Sequence, residues 1–194
     1  ITSLNSKVIS GNSPLLAPMA VDAVCKIIRS NGDVDLNDVV SEALLLMKGK
    51  LNGLEVRPAL GNLPPVTCRR SQIGQVVTNL LSNAADALAE QEEAQSNSFR
   101  GRVRIETQAA ASNGQDGVLI RVADNGAGIT DDSKAKIFDS FYTTKAVGVG
   151  TGLGLSICEK ILTAHGGTID VASDEELGGA VFQCWVPLIP ADTP

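Results

Sequence analysis

Aromatic side chains are scarce in this chain, six among 194 residues, and histidine occurs once, as His165. A Ser-His-Asp hydrolase would have to be built around that single imidazole, and nothing near it resembles a nucleophile elbow. The four cysteines, Cys25, Cys68, Cys158 and Cys184, share no C-x-x-C spacing and make no zinc pattern with His165. Buried free thiols in a reducing cytoplasm are therefore expected. Long apolar runs are missing too: Ala43–Met47 is typical of the longest, far short of the roughly 20 residues of a membrane span. No start methionine, basic n-region or signal-like block opens the chain. A cytoplasmic piece cut from a longer protein is expected, with any membrane anchor upstream of Ile1. Positive charge is in deficit, 16 Lys+Arg against 22 Asp+Glu for a net −6. General nucleic-acid binding is excluded on that ground, so a polyanion such as a nucleotide would have to be held by local geometry. At 43% hydrophobic residues the chain has material for a proper core, which excludes disorder over most of its length.

Apolar periodicity divides the chain. Leu16, Met19, Ala20, Ala23, Val24 and Ile27 recur at helical spacing over 14–30, and Asn31-Gly32-Asp33 ends that helix. A second helix follows Asp35 as N-cap, with Leu36, Val39, Val40, Ala43 and Leu44 on one stripe. Leu54, Val56 and Leu60 predict a short strand before the Pro64-Pro65 break. The strongest helix runs from Gln72 to about Gln91, its apolar face being Ile73, Val76, Val77, Leu80, Leu81, Ala84 and Leu88. The polar stretch 92–100 reads as a loop. Val103, Ile105 and Thr107 alternate as a strand, 113–117 as a turn, and Val118, Ile120 and Val122 as a strand ending in Asp124. Beyond a Gly-rich stretch holding one short helix at 131–137, a helix is expected over 153–164 and strands over 169–173 and 181–186. Helices on one face of a mixed, mostly antiparallel sheet, an α/β (α+β) two-layer sandwich, is the expected architecture.

Four features carry chemistry. Asn79 and Asn83 are four apart in the strongest helix, with Gln75 and Asp86 extending the same polar stripe. Asparagine is a poor helix former, so two of them beside an apolar stripe read either as amides pointing into a site or as a cross-core or solvated pair. Asp124-Asn125-Gly126-Ala127-Gly128-Ile129 follows a strand directly, as a close-approach loop with a carboxylate able to accept from an exocyclic amine, or as an ordinary Asx turn. Ile137-Phe138-Asp139-Ser140-Phe141-Tyr142-Thr143-Thr144-Lys145 holds three of the six aromatics, as a lid with its own anchor or as a satellite core cluster. Gly148 to Ser156 carries four alternating glycines into a helix, an anion cradle or a flexible loop. No strand closely precedes it and it lacks the G-K-[ST] ending, so it is neither a dinucleotide fingerprint nor a P-loop.

In this order and spacing, the four features resemble the Bergerat-type ATP-binding fold of histidine kinases, DNA gyrase, a heat-shock chaperone and MutL. The nearest likeness is to the catalytic domain of two-component sensor histidine kinases. Asn79 to Leu88 resembles that family's asparagine box, Asp124 to Ile129 its first glycine box, Ile137 to Lys145 its phenylalanine box and Gly150 to Leu155 its second glycine box. His165-Gly166-Gly167 with Ile169 and Val171 is similar to the pattern that follows. The resemblance covers about residues 35–188.

The resemblance implies that Asp124 accepts from the adenine amino group, with Gly126, Gly128 and Ile129 shaping the pocket floor. Asn83 is expected to coordinate Mg2+ bridging the ATP phosphates, with Asn79 on the same wall and Asp86 beside them. Gly150, Thr151, Gly152, Leu153 and Gly154 are expected to meet the phosphates, and Thr144 or Lys145 to reach them as the lid closes. Related hydrolases carry a glutamate general base where this chain has Asn79, which cannot take a proton. Transfer of the γ-phosphate to a positioned acceptor, with little intrinsic hydrolysis, is therefore implied. The acceptor would be a histidine on a dimerising helical hairpin; His165, followed by two glycines, is expected to be structural instead. Residues 1–32 then read as the remnant of the hairpin's second helix and 33–190 as the catalytic domain. A response regulator receiver domain and a homodimeric full-length protein are implied as partners. Arg69 and Arg70 stand where related kinases often carry an acid, as a local anion contact or a surface substitution. A nucleotide-gated binding module and an anti-sigma-type serine kinase are the alternatives with the same fold.

Overall fold

In the computed structural model, the described residues are 32–95, 99–143 and 151–189. The helix expected over 14–30, and Thr144, Lys145, Gly148 and Gly150, lie outside them. Among the described residues seven strands and four helices follow in order: β1 Gly32–Val34, α1 Leu36–Leu46, β2 Glu55–Leu60, β3 Val66–Cys68, α2 Arg70–Gln95, β4 Arg102–Ser112, β5 Gln115–Asp124, α3 Asp131–Lys134, α4 Gly154–Ala164, β6 Thr168–Ser173 and β7 Ala180–Pro187.

Five strands form one sheet in the order β2-β4-β5-β7-β6, with β2 parallel to β4 and every other pair antiparallel. The mixed sheet with helices on one face is the expected architecture. Alternation in β4 sends Val103, Ile105 and Thr107 inward; Val118, Ile120 and Val122 of β5 do the same. They meet the stripe of α2, where Ile73, Val77, Leu80, Leu81 and Leu88 are fully buried. Asp35 caps α1 as expected, its carboxylate accepting from the Asn37 N–H at 2.8 Å. Among the described residues no helix is long and apolar enough to cross a membrane.

Local expectations needed adjustment in four places. Helix α2 starts at Arg70 and continues to Gln95, so residues 92–95, expected to be loop, are helical. Residues 89–95 contain only Ala, Glu and Gln, strong helix formers that extend an exposed helix without an apolar stripe. The β4–β5 turn is Asn113-Gly114 alone, with φ of 50° and 79°, the two-residue hairpin geometry that needs left-handed backbone; residues 115–117 are strand. The helix at 131–137 shortens to Asp131–Lys134, followed by turns. The short strands β1 and β3, which pair antiparallel in a separate two-stranded sheet, had no readable alternation over three residues each.

Candidate functional site

Helix α2, the β5–α3 loop and the start of α4 converge on one cavity of about 640 Å³, within the range of small-molecule sites. Asn79, Asn83 and Asp86 line it from α2; Asp124, Gly128 and Ile129 line it from the end of β5 and the loop that follows. Thr151, Gly152 and Gly154 line it at the start of α4, and Tyr142 and Thr143 also belong to the lining. Gln75 departs from the expected stripe: it is exposed and outside the cavity, because 3.6-residue periodicity carries it round the helix from Asn83. Gly126 and Leu153 are also not among the residues that line it.

Asp124 ends β5 and is 4% exposed. Its Oδ1 accepts from the Gly126 N–H at 2.9 Å and the Ala180 N–H at 3.4 Å. Burial pushes its carboxyl above the ordinary aspartate value; the two backbone donors pull it down, and nearby Asp174 raises it. Asn125 staples the loop to β4, accepting from the Arg102 N–H at 2.6 Å and donating to the Arg100 carbonyl at 2.9 Å. It is a scaffold residue within the first glycine box.

A wall of backbone stands behind Asp124. A Cβ on Gly179 would lie 2.4 Å from the Asp124 carbonyl oxygen and 2.7 Å from both Asp124 Oδ1 and the Gly126 nitrogen. The 174–179 turn is therefore pressed directly onto the carboxylate loop. Arg104 of β4 holds that turn: Nη2 donates to Asp174 Oδ2 at 2.7 Å, Nη1 pairs with Glu176, and Nε lies 3.4 Å from Glu106 Oε1 without hydrogen-bond alignment. Asp174 Oδ1 accepts from the Glu176 and Leu177 N–H groups at 3.1 and 2.7 Å, closing the turn on itself. Neither Gly179 nor this clamp was identified from the sequence. The Gly178-Gly179 pair was the available signal, and it reads as ordinary turn punctuation.

At the other end, Asn79 Nδ2 donates to the Gly154 carbonyl at 3.3 Å and lies 3.7 Å from Cys158 Sγ, tying α2 to the first residue of α4. Among the described residues no side chain caps the α4 N-terminus, and its first residues Gly154 and Leu155 line the cavity, where a helix start offers backbone N–H groups and a positive dipole end. A Cβ on Gly154 would meet nothing within 4 Å, leaving open space there. Gly152, at φ +62°, lies against Phe141: a Cβ would come 2.4 Å from the Phe141 carbonyl carbon, and the Phe141 N–H donates to the Gly152 carbonyl at 2.8 Å. Phe141 itself holds φ +71° and is 73% exposed, an uncommon backbone for a bulky residue. The phenylalanine and second glycine boxes are thus joined through backbone. Tyr142 donates to Ser133 Oγ at 3.2 Å, pinning that segment to α3.

The remaining expectations resolve locally. Arg70 pairs with Glu42 at 2.6 Å on the surface, and the Arg69 backbone N–H donates to His165 Nε2 at 3.1 Å. His165 Nδ1–H donates to the Ile161 carbonyl at 2.7 Å, the tautomer these two bonds require, and the ring is 4% exposed. Both ring nitrogens are occupied, so this histidine is built into the fold, as expected. His165→Ala is expected to lower stability in urea titration by about 2 kcal/mol, through an unpaired Arg69 N–H and a small cavity, with nucleotide affinity unchanged. Cys68, Cys158 and Cys184 are buried free thiols; burial raises the first two to about 11 and the third well above its ordinary value. Cys25 lies outside the described residues.

The family model described as histidine kinase-, DNA gyrase B- and HSP90-like ATPase matches residues 68–190. The sensor histidine kinase ZraS of Salmonella typhimurium is 36% identical over 159 residues, 80% of this chain and 31% of the relative. The chain thus spans about a third of that relative's length. The catalytic domain of histidine kinase ThkA, in a nucleotide-free form, is 31% identical with a TM-score of 0.68, covering 82% of this chain and 97% of that one. Full-length ShkA in complex with AMPPNP is 28% identical with a TM-score of 0.66, over 85% of this chain and 32% of that one. With described residues of all four segments lining one cavity, the chain belongs to the histidine kinase-, DNA gyrase B- and HSP90-like ATPase family, as an ATP-binding domain of the sensor histidine kinase type.

Proposed function

We propose that this domain binds ATP with Mg2+ and delivers the γ-phosphate to a histidine on a helical hairpin of the same protein. Residues 33–190 are the catalytic unit in this reading, and 1–32 the end of the hairpin's second helix. The phosphohistidine then serves a response regulator receiver domain, and the full-length protein acts as a homodimer. One observation carries the reading: a buried carboxylate, a pair of helix amides and a helix N-terminus with no side-chain cap among the described residues line one cavity.

Each wall has a task. Both backbone bonds to Asp124 fall on Oδ1, leaving Oδ2 to accept from the adenine amino group. Gly128 and Ile129 give the base a flat floor. The α4 N–H groups receive phosphate oxygens in the open space at Gly154. The donor set fits Mg2+ only through the nucleotide, because among the described residues no three His, Cys, Asp or Glu form a metal cluster. Asn83 would offer it one amide oxygen, which suits an ion that prefers to keep much of its hydration. When bound, Mg2+ neutralises charge on the phosphates. In the transfer, an imidazole nitrogen of the acceptor bonds to the γ-phosphorus as the bond to the β,γ-bridging oxygen breaks. ADP leaves, and the imidazole proton passes to solvent. Asn79 cannot act as a base toward water, so hydrolysis without the acceptor is slow.

The test is transfer in trans. With γ-labelled ATP and a separately supplied histidine-bearing hairpin of the same protein, label is expected on the hairpin and little free phosphate. Asn83→Ala is expected to reduce transfer at least tenfold, the loss of about one metal contact. Nucleotide binding with no label on the hairpin would overturn the reading in favour of a nucleotide-gated binding module.

A further inference from the structure

Helix α2 serves as a ruler along the cavity. Asn79 marks one end, bonded to the Gly154 carbonyl where α4 begins. Ala87 marks the other, its Cβ 3.5 Å from the position a Cβ on Gly126 would take, beside the Asp124 carboxylate. The eight-position step from one to the other rises about 12 Å, so base, sugar and phosphates of a nucleotide fall in sequence along this face. Between the two marks sits a cation from outside the helix. Lys50, in the turn after α1, donates to Ser82 Oγ at 2.7 Å and pairs with Asp86 Oδ1 at 2.6 Å, and its side chain lines the cavity.

Charge makes that position consequential. Among the described lining residues Lys50 is the sole cation, set against Asp86, Glu90 and Asp124, in a chain of net charge −6. A nucleotide bringing several negative charges into that wall needs a positive group at the level where its charge begins. An ammonium has three N–H donors, of which Ser82 and Asp86 take two. From the site assignment above, on which this rests, we infer that Lys50 is a nucleotide-binding residue that contacts the α- or β-phosphate, the Asp86 pair holding its flexible stem in place beforehand.

Calorimetry with the purified chain tests this, using MgATP, ADP and adenosine against Lys50→Gln, Lys50→Arg and, as an equal loss of charge outside the cavity, Lys48→Gln. Expected is about a tenfold loss for Lys50→Gln with both MgATP and ADP, no change with adenosine, near-native affinity for Lys50→Arg and no change for Lys48→Gln. Several results would overturn the assignment: unchanged affinity of Lys50→Gln, an equal loss in Lys48→Gln, an equal loss with adenosine, or a loss confined to ATP, which would move the contact to the γ-phosphate. Wild-type protein that binds none of the three ligands would overturn the nucleotide-site reading itself, which separates that failure from failure of the lysine assignment.

Discussion

Gly179→Ala is expected to reduce ATP affinity by at least about 100-fold, equivalent to about 2.7 kcal/mol, although Gly179 is absent from the cavity lining. Its Cβ would overlap the Asp124 carbonyl, the Asp124 carboxylate and the Gly126 nitrogen together. None of these is the loose end of a flexible side chain, so the new methyl must displace either the 174–179 turn or the carboxylate loop. The turn is held by the Arg104 clamp and by Asp174's own backbone bonds, so the carboxylate loop yields. Overpacking of this kind costs about 1–3 kcal/mol in stability, readable by urea titration. The distinguishing result is an affinity loss for adenosine as large as for ATP, since the damage falls at the base end. A Gly178→Ala control meets no neighbour within 4 Å but sits at φ +83°; it is expected to lose stability and keep affinity.

Asp124→Asn is expected to reverse base preference rather than merely weaken binding. Oδ1 is committed to the Gly126 and Ala180 N–H groups, so the substituted amide keeps its oxygen there and turns its NH2 toward the ligand. Adenine presents a donor at that point and guanine an acceptor. ATP affinity is expected to fall about 100-fold and GTP to bind as well as ATP or better, because a site built around a hydrogen bond leaves unpaired buried groups with the wrong partner. Asp124→Ala removes the acceptor for both backbone donors and is expected to lose ATP affinity to the same degree without gaining GTP. The pH dependence follows from burial. The carboxyl in the folded chain titrates above its ordinary value, so adenosine affinity is expected to fall as pH drops through that raised value. Adenosine is the probe because it has no phosphate to titrate. In Asp124→Asn this dependence disappears. Stability of the free protein runs the other way: the folded chain holds the proton more tightly than the unfolded one, so this group's contribution grows as pH falls through the raised value and is lost as pH rises through it.

Much of this site is legible in the sequence because its signals are local. Asn79 and Asn83 stand out by i, i+4 spacing against an apolar stripe, and Asp124 by its place between a strand and alternating glycines; the fold brings both to one cavity. The same spacing argument fails for Gln75, where four further residues carry the side chain out of the groove and into solvent. What is illegible is what arrives from a distance. Lys50 reaches Ser82 across 32 residues and Ala180 reaches Asp124 across 56, and nothing in either local pattern announces the meeting. Sheet order was equally hidden: the parallel β2–β4 pairing depends on the α2 crossover, whereas the β4–β5 hairpin is written in Asn113-Gly114. Strands β1 and β3 are too short for alternation to distinguish them from loop. Asn125 and His165 show the complement, polar residues in motif-rich segments whose hydrogen bonds are spent on the scaffold.

In the proposed function a single buried carboxylate selects adenine while the rest of the cavity takes the nucleotide's phosphates. Titration calorimetry of the wild-type chain with MgATP and with MgGTP tests it most directly. Saturable heat with the adenine nucleotide and at least a hundredfold weaker binding of the guanine nucleotide is the expected result; no heat with either, or equal affinity for both, would contradict it.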